Sequence, residues 1–214
     1  MRIVGSTHIV ESEAELPALG GNIVFLDLET TSLDDDVMSV NPHHSCWIAG
    51  ICIAVDYGPI YYVPMRHAHG RNVNAGQWLV DVLSRCNAWV NHNVKYDMHV
   101  IRNELGYSFA GTVIDTMTMA KMYRSDLMSY SLEQLMALLL PDYPGKKTSS
   151  LKPYLVGTKD YGKIPIDVLG EYGGHDVACT RVLWRYLTGL MPAECMDLLG
   201  VEAMGLDFAD DNKV

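Results

Sequence analysis

A short run of β-branched and aromatic residues, IVFLDL at positions 23–28, predicts a buried strand. Asp27 and Glu29 stand at its carboxyl end, and side chains two residues apart in a strand project from the same face of a sheet. Two neighbouring carboxylates at a buried strand end repel each other, so they require protonation or a bound cation. From this element alone, a metal site and a strand end that has reached solvent both remain open.

The remainder of the chain combines further strand patterns with helical ones. Because strands come first and helices surround them, the order predicts a single domain with a mixed α/β layer fold. The predicted strands are 23–28, 47–56, 60–64 and 88–91, and the predicted helices are 77–86, 94–105, 115–123, 132–140 and 168–187, the last capped by Asp167.

Length and composition narrow the class of protein. The 214 residues fit one ordinary domain, and no apolar stretch is long enough to cross a membrane. The first residues lack the basic start and apolar block of a secretory signal, so the expected location is the cytoplasm, or the host cytoplasm for a viral protein. The five cysteines form no CxxC pair and are expected to be reduced thiols.

The formal net charge is −10, with 26 acidic residues against 16 Lys and Arg. This balance argues against a protein that holds duplex DNA by neutralising its phosphates. It does not exclude an enzyme that grips a short single-stranded end, because bound metal ions can supply the positive charge.

A second acidic element is NHNVKYD at 91–97, at a junction between a strand and a helix. Asn91 or Asn93 can cap the helix, which places Asp97 in its first turns. An Asp in a first turn also complements the helix dipole without any functional role, and Asn93 has a structural explanation as a cap.

A third element is YGGHD at 172–176, within the last predicted helix. The four-residue step places Tyr172 and Asp176 on one helix face. Gly173 and Gly174 are unusual inside a helix, where each costs about 1 kcal/mol relative to Ala. A close approach by substrate or by another backbone explains them, and so does ordinary tolerance in helix packing.

Together, the three elements resemble the 3′→5′ exonuclease domain of family A DNA polymerases, within the DEDD exonuclease superfamily. DLETTSL at 27–33, NHNVKYD at 91–97 and YGGHD at 172–176 match its three motifs in order, and the likeness covers roughly residues 20–190. The resemblance implies a ribonuclease H-like mixed β-sheet flanked by α-helices. It also implies a division into an N-terminal extension (1–20), an exonuclease domain (21–190) and a C-terminal tail (191–214).

The superfamily has two branches that differ in the residue near the last Asp. One branch carries a His five positions before it, where this chain has Glu171; the other carries a Tyr four positions before it, which is Tyr172 here. His175 is adjacent to Asp176 and points about 100° away around the helix, so it is not expected to substitute. The chain resembles the tyrosine branch.

The resemblance implies two bound divalent cations, and four carboxylates without clustered Cys or His suit Mg²⁺ or Mn²⁺. By the same resemblance, Asp27 bridges both ions, Glu29 and Asp176 hold the water-activating ion, and Asp97 supports the second. Tyr172 and Glu29 orient the attacking water; with an ordinary pKa of about 10, the tyrosine acts as a positioning group rather than a strong base.

The resemblance also implies that Thr30, Leu33, Asn93 and Tyr96 line the pocket for the terminal nucleotide. Leu33 is expected to wedge against the last base and so to select unpaired ends. An aromatic contact is expected from the connector at 141–165, with Tyr154 as a candidate. The histidines in loops are expected at the surface: His43, His44, His67 and His69.

The sequence therefore predicts a proofreading-type DNA exonuclease that acts on single-stranded or mispaired 3′ ends. A free-standing exonuclease and a domain excised from a larger polymerase both stay open, and the expected partner is a DNA polymerase in trans or in the same original chain. Two rivals stay open at this point. An RNA-trimming exonuclease of the ribonuclease D kind carries the same five site residues, and a domain of the same fold can bind a partner without catalysis.

Overall fold

The computed structural model of the protein describes residues 1–31, 46–143, 151–156 and 160–192. Within these ranges, one mixed sheet of seven strands is flanked by five α-helices. The strands are β1 (Arg2–Val4), β2 (Thr7–Ile9), β3 (Gly21–Thr31), β4 (Trp47–Val55), β5 (Ile60–Pro64), β6 (Cys86–Asn91) and β7 (Thr112–Asp115). The helices are α1 (Gly76–Leu83), α2 (Val94–Leu105), α3 (Thr116–Tyr123), α4 (Leu132–Leu139) and α5 (Ile166–Leu190), with 3₁₀ turns at Glu13–Glu15, Lys152–Tyr154 and Tyr161–Lys163.

The sheet order is β1-β2-β5-β4-β3-β6-β7, which places β3 between an antiparallel and a parallel neighbour. It pairs antiparallel with β4 and parallel with β6, and β6 pairs parallel with β7. Because β3, β6 and β7 run in the same direction, their carboxyl ends meet at one edge of the sheet. Asp27, Glu29 and Asn91 all lie near that edge.

Both faces of the sheet are covered, and the two-residue period of β3 divides its side chains between two cores. Ile23 and Phe25 pack with residues of α3, α4 and α5, whereas Val24 and Leu26 pack with residues of α1 and α2. By the same alternation, Asp27 continues the face of Phe25 and is directed toward α5.

Helix α5 crosses the sheet closely, and its glycines make that approach possible. A Cβ at Gly173 would collide with Cys52 Sγ and lie 2.9 Å from Glu29 Oε1, and a Cβ at Gly174 would collide with Thr7. The sheet beneath α5 therefore accounts for both glycines. This packing brings α5 against the carboxylates of β3.

The predicted bounds agree with the structure for 60–64 and 94–105 and differ elsewhere. The prediction that 77–86 is all helix was wrong at its end, because α1 stops at Leu83 and Cys86 already begins β6. Asp167 lies in the first turn of α5, and Pro165 occupies the cap position. β1, β2 and β7 were not predicted.

Residues 2–9, assigned above to an N-terminal extension, supply β1 and β2 to the same sheet. The division of the chain at residues 21 and 190 stays a prediction. Most of the assigned C-terminal tail, 193–214, lies outside the described residues. Among the helices that the structure describes, none has the length and apolar character needed to span a membrane.

Candidate active site

Asp27 and Glu29 lie in the last part of β3, where a register irregularity with β4 falls between Glu29 and Thr30. Glu29 is buried, with 4% of its surface exposed, and Asp27 is half-buried. Cys52 on β4 pairs with Asp27 and is fully buried. Burial raises the pKa of the Cys52 thiol, as do the carboxylates of Glu29 and Asp27, so Cys52 is a protonated core thiol.

Asp97 lies in the first turn of α2 and is joined to the strand edge by hydrogen bonds. Its Oδ1 accepts a hydrogen bond from the backbone N–H of Leu28 at 3.2 Å, and its Oδ2 accepts one from the side-chain amide of Asn91. The carboxylate is 4% exposed. Asp97 therefore does more than complement the helix dipole, because it fastens the start of α2 to β3 and β6.

Asn93 is the cap residue of α2, but its side chain makes no capping hydrogen bond. Its backbone is in the left-handed region, with φ 64° and ψ 44°, and its N–H donates to Asp115 Oδ1 at 2.8 Å. Asn93 is therefore held by its backbone, and its residue surface is exposed beside the acidic edge.

The pKa of Asp97 lies well above the ordinary value for an aspartate. Burial is the main cause, and the charge of Asp27 is the next. Hydrogen bonds from Leu28 and Asn91 act in the opposite direction without cancelling these effects. The two carboxylates are thus close enough for each to oppose ionisation of the other.

Helix α5 contributes Asp176, which is 7% exposed, and Tyr172 one turn before it. Burial raises the pKa of the Tyr172 hydroxyl, and the charges of Asp176 and Glu29 raise it further. The hydroxyl is therefore protonated at neutral pH, as a positioning group requires. Asp27, Glu29 and Asp176 thus lie near Tyr172, and Asp97 joins the cluster through its neighbour Asp27.

The neighbours of Tyr172 and Asp176 on α5 face elsewhere. Glu171 is exposed, and its side chain lies against Gly5. His175 approaches Cys179 Sγ at 3.4 Å and the ring of Tyr143, with centroids 6.5 Å apart. Of the three candidates for the residue that distinguishes the branches, Tyr172 is the one that these contacts place among the carboxylates.

Tyr161 is a residue of this edge that the sequence did not single out. It lies in the 3₁₀ turn before α5, half-buried, and burial together with the charges of Glu29, Asp176 and Asp27 raises its pKa to about 12. The candidate aromatic contact, Tyr154, is 39% exposed in a separate 3₁₀ turn.

The turn that carries Tyr161 is fixed to the end of β3. Asp160 accepts hydrogen bonds from the Thr31 hydroxyl and from the backbone N–H of Gly162, the latter at 3.0 Å. An Asp two residues before a Gly is a sequence signal for this kind of turn. It could have indicated an ordered segment within the connector.

The structure describes three of the four residues proposed to line the nucleotide pocket, namely Thr30, Asn93 and Tyr96. Thr30 Oγ1 and Tyr96 OH are 2.9 Å apart, and Cys46 Sγ lies 3.2 Å from the same hydroxyl. Thr30 and Tyr96 are thus joined next to Asp97. Leu33 lies outside the described residues, and so do His43 and His44.

The expectation that His67 lies at the surface was wrong. It is 5% exposed; its Nε2 lies 2.5 Å from Tyr62 OH, and its Nδ1 lies 2.9 Å from the carbonyl oxygen of Ile164. Burial lowers its pKa, so the neutral form predominates at neutral pH. Its position in a loop concealed this role, which is to anchor the segment before α5. His69 is exposed, as expected.

The carboxylate cluster has the ligand chemistry of a hard divalent cation. Its side chains offer oxygen donors, three of the four carboxylates are buried, and their mutual repulsion is relieved by positive charge. Within the described ranges, no three His, Cys, Asp or Glu side chains already converge as a metal-binding group. The residues therefore fit Mg²⁺ or Mn²⁺ by charge and donor type, and binding requires their side chains to draw together.

Comparison with curated proteins identifies relatives among phage DNA polymerases, and no family model matches the chain. The DNA polymerase DpoZ of Salmonella phage PMBT28 is 32% identical over 117 residues, which are 52% of this chain and 16% of the polymerase. The DpoZ of Acinetobacter phage SH-Ab 15497 is 24% identical over 149 residues, which are 65% of this chain and 23% of the polymerase. The chain thus spans less than a quarter of either relative.

Solved structures with the same fold include Brucella melitensis NrnC, with a TM-score of 0.60, 17% identity and coverage of 92% of this chain and 84% of that one. A chain described as the apo form of a nuclease has a TM-score of 0.60 at 15% identity and covers 98% of this chain and 99% of its own. Trypanosoma brucei RNase D in complex with GMP has a TM-score of 0.59 at 15% identity. The match covers 94% of this chain and 64% of the RNase D chain. NrnC has also been solved with bound Mg²⁺.

At these identities the likeness to solved structures is one of fold. The ribonuclease H-like mixed sheet flanked by helices is confirmed. The resemblance to the exonuclease domain of DNA polymerases is also confirmed, by the phage polymerases in sequence and by the nuclease structures in fold.

Proposed function

We propose that this chain is a metal-dependent 3′→5′ exonuclease that releases nucleoside 5′-monophosphates from single-stranded or mispaired DNA 3′ ends. The observation that carries this proposal is the proximity of four carboxylates at one edge of the sheet, with Tyr172 near Glu29 and Asp176; the carboxylates are Asp27, Glu29, Asp97 and Asp176. Such a concentration of buried like charge is unfavourable in a purely structural role, and a hydrolytic metal site explains it.

Asp27, Glu29, Asp97 and Asp176 are the residues that hold the two cations in this proposal. When bound, Mg²⁺ or Mn²⁺ neutralises the scissile phosphate, lowers the pKa of the attacking water and stabilises the leaving 3′ oxygen. The Asn91 amide and the Leu28 N–H hold the Asp97 carboxylate in one orientation, so this ligand is positioned before any cation arrives.

Tyr172 and Glu29 position the water that attacks the terminal phosphorus. The protonated phenol donates a hydrogen bond and the Glu29 carboxylate accepts one, so the two fix the direction of the water. The water oxygen forms a bond to phosphorus while the bond from phosphorus to the 3′ oxygen breaks. The water proton passes to solvent, and the new 3′ hydroxyl receives its proton from solvent.

The terminal nucleotide lies between β3 and the start of α2. Thr30 and Tyr96 are joined by a hydrogen bond at this position, Asn93 is exposed beside them, and Leu33 supplies the wedge. Similarity to phage DNA polymerases favours DNA as the substrate, with a polymerase in the same original chain or in trans as the partner. Because RNase D shares the fold, RNA is the matched alternative in the test.

The test uses a 5′-labelled DNA with a single-stranded 3′ tail, and an RNA tail of the same sequence. With Mg²⁺, we expect a ladder that shortens from the 3′ end one nucleotide at a time, and no cleavage with chelator. Asp27→Asn should abolish cleavage, whereas Asp81→Asn, which removes an exposed carboxylate on α1, should not.

The outcomes separate the three functions that the fold can serve. Faster cleavage of the RNA tail would identify an RNA-trimming enzyme. Mg²⁺ binding by calorimetry without cleavage of either tail would contradict catalysis and favour a partner-binding domain. Products that shorten from the 5′ end would contradict the proposed direction.

A further inference from the structure

A second site lies on the face of α2 that is turned away from the carboxylates. It is a cavity of 510 Å³ bounded by α2, β6, β7 and the segment at residues 107–109. With about 100° per residue along a helix, Lys95, His99 and Arg102 lie roughly 140–200° around α2 from Asp97. The cationic side of the cavity is therefore turned away from the proposed catalytic edge, and Val94 and Ile101, which lie nearer to Asp97 around the helix, form another part of its lining.

The interior of this cavity is aromatic. Trp89 is 1% exposed, and its ring lies edge-on to that of Phe109, with centroids 6.0 Å apart. The indole Nε1–H of Trp89 is buried and has no hydrogen-bond acceptor among the residues that the structure describes. This donor belongs to a residue of the cavity wall and stands out, because buried polar groups are nearly always paired.

The mouth of the cavity is cationic although the chain carries a net charge of −10. Lys95 and Arg102 are exposed and lie two turns apart on α2. Asp115 is the one carboxylate among the described lining residues. Its Oδ1 already accepts hydrogen bonds from the backbone N–H groups of Asn93 and Met117, at 2.8 and 2.9 Å.

We propose that this cavity binds one nucleotide, with the base in the aromatic interior and the phosphate against Lys95 and Arg102. A nucleobase is planar and stacks on aromatic rings, which the half-buried Tyr107 and Phe109 supply here. Arg and Lys are the usual partners of phosphate, and the volume lies within the range of about 300–1,000 Å³ that is typical of ligand sites.

The nucleotide has two possible sources with the same chemistry. It is either a free mononucleotide, such as the product of hydrolysis, or a nucleotide within the strand whose 3′ end occupies the catalytic edge. The choice of a nucleotide rests in part on the proposed function. The experiment therefore measures binding in chelator, where the carboxylate edge lacks cations and no hydrolysis occurs.

The probes are deoxyadenosine 5′-monophosphate, titrated by calorimetry, and a fluorescein-labelled single-stranded dA octamer, followed by anisotropy. Lys95→Ala/Arg102→Ala removes the cationic mouth, and Val113→Phe fills the cavity without changing charge. Arg71→Ala/Arg85→Ala is the control, because it removes two exposed arginines elsewhere. We expect both site variants to weaken binding by about tenfold or more and the control by less than about twofold.

Binding of the mononucleotide identifies the free product as the source, and binding of the octamer alone identifies the strand. A second readout is the indole ¹H–¹⁵N resonance of Trp89, assigned by its loss in Trp89→Phe, which should shift when the bound probe is added. Equal affinities for wild type, site variants and control would overturn the proposal, as would no binding of either probe. If the wild-type protein does not hydrolyse the DNA tail, the proposed function is contradicted, but these binding measurements still test the cavity.

Discussion

Among single residues, Asp97 links the chemistry of the site to the stability of the fold. Its pKa is raised by burial and then by Asp27, so the folded protein retains a proton that the unfolded chain loses near its ordinary value of about 3.9. Between the unfolded and folded pKa values the folded state binds more protons. This contribution to stability is therefore fully present at acidic pH and is lost as pH rises through the folded pKa.

We predict that the metal-free protein becomes less stable as pH rises from about 3.9, the ordinary pKa of an aspartate, toward the raised pKa of Asp97. Asp27→Asn should reduce this dependence without removing it, because burial of Asp97, the larger cause, remains. Thermal denaturation in chelator, with and without excess Mg²⁺, measures both effects. Mg²⁺ should raise the midpoint of thermal denaturation of the wild type more than that of Asp27→Asn. The same dependence of the midpoint on pH in both proteins would contradict the coupling between Asp27 and Asp97.

Tyr172 offers a test of positioning against ligation. Because its hydroxyl is protonated at assay pH, Tyr172→Phe loses one hydrogen bond and no cation ligand. We predict a fall in kcat of about 10² or less, with the pH dependence of wild type retained. Asp176→Asn, one turn further on α5, should cost far more because it removes a ligand.

His175→Ala is the control for the same helix, since its ring contacts Tyr143 and Cys179 rather than the carboxylates. It should change kcat little at any pH. The measurement is kcat on one DNA tail across a pH series for Tyr172→Phe, Asp176→Asn and His175→Ala. A His175 variant as inactive as Asp176→Asn would assign the chain to the histidine branch.

At the scale of elements, the distance between α5 and the sheet decides whether the site can form. A Cβ at Gly173 would meet Cys52 Sγ and Glu29 Oε1, so Gly173→Ala should displace α5 and lower both the melting temperature and the activity. At Gly189, in the same helix, an added Cβ would meet no atom of another element within 4 Å among the described residues. Gly189→Ala should therefore be neutral or stabilise by up to about 1 kcal/mol.

Adding Cys52→Ala to Gly173→Ala removes the sulfur that the new methyl group meets. The double variant should recover part of the melting temperature and of the activity, measured by the same thermal and DNA assays. No recovery would mean that the contact with Glu29, or the helix backbone itself, sets the limit. Equal effects of the Ala substitutions at 173 and 189 would refute the packing argument.

The strands that the sequence predicted and those that it missed differ in length. β3 and β4 are long, apolar and buried, so local composition alone identifies them. β1, β2 and β7 have three or four residues each, too few to show a period of two, and they become strands because a neighbouring strand pairs with them. Pairing partners are distant in sequence, so a local pattern does not contain them.

The candidate site divides in the same way. The carboxylates and Tyr172 could be proposed from the sequence because they belong to motifs of recognisable residue type and spacing. Tyr161 and His67 could not be proposed in this way, because their burial depends on how the segment before α5 packs onto β3 and β5. The cavity beside Trp89 has no linear motif, since its walls come from α2, β6, β7 and a loop.

At the scale of the whole molecule, charge limits which nucleic acids can approach. A chain of net charge −10 cannot neutralise many phosphates of a duplex, and the carboxylate edge repels phosphate until cations bind. For the proposed exonuclease, substrate selection then depends on a few contacts near the 3′ end. The dependence of kcat/KM on salt should be shallow, because its slope grows with the number of phosphates neutralised.

This limit also sets the order in which substrates are hydrolysed. We expect hydrolysis to be fastest on single-stranded DNA, slower on a mispaired 3′ end and slowest on a blunt duplex, because the end must separate before it reaches the edge of β3. If Leu33 is the wedge, Leu33→Ala should reduce the difference in hydrolysis rate between paired and unpaired ends. Leu138→Ala, at an exposed leucine of α4, should leave that difference unchanged. Rates on the three substrates, at low and high salt, provide the measurement. Faster digestion of the blunt duplex by wild type would reject the wedge, and a steep salt dependence would show that the chain grips more of the strand than one end.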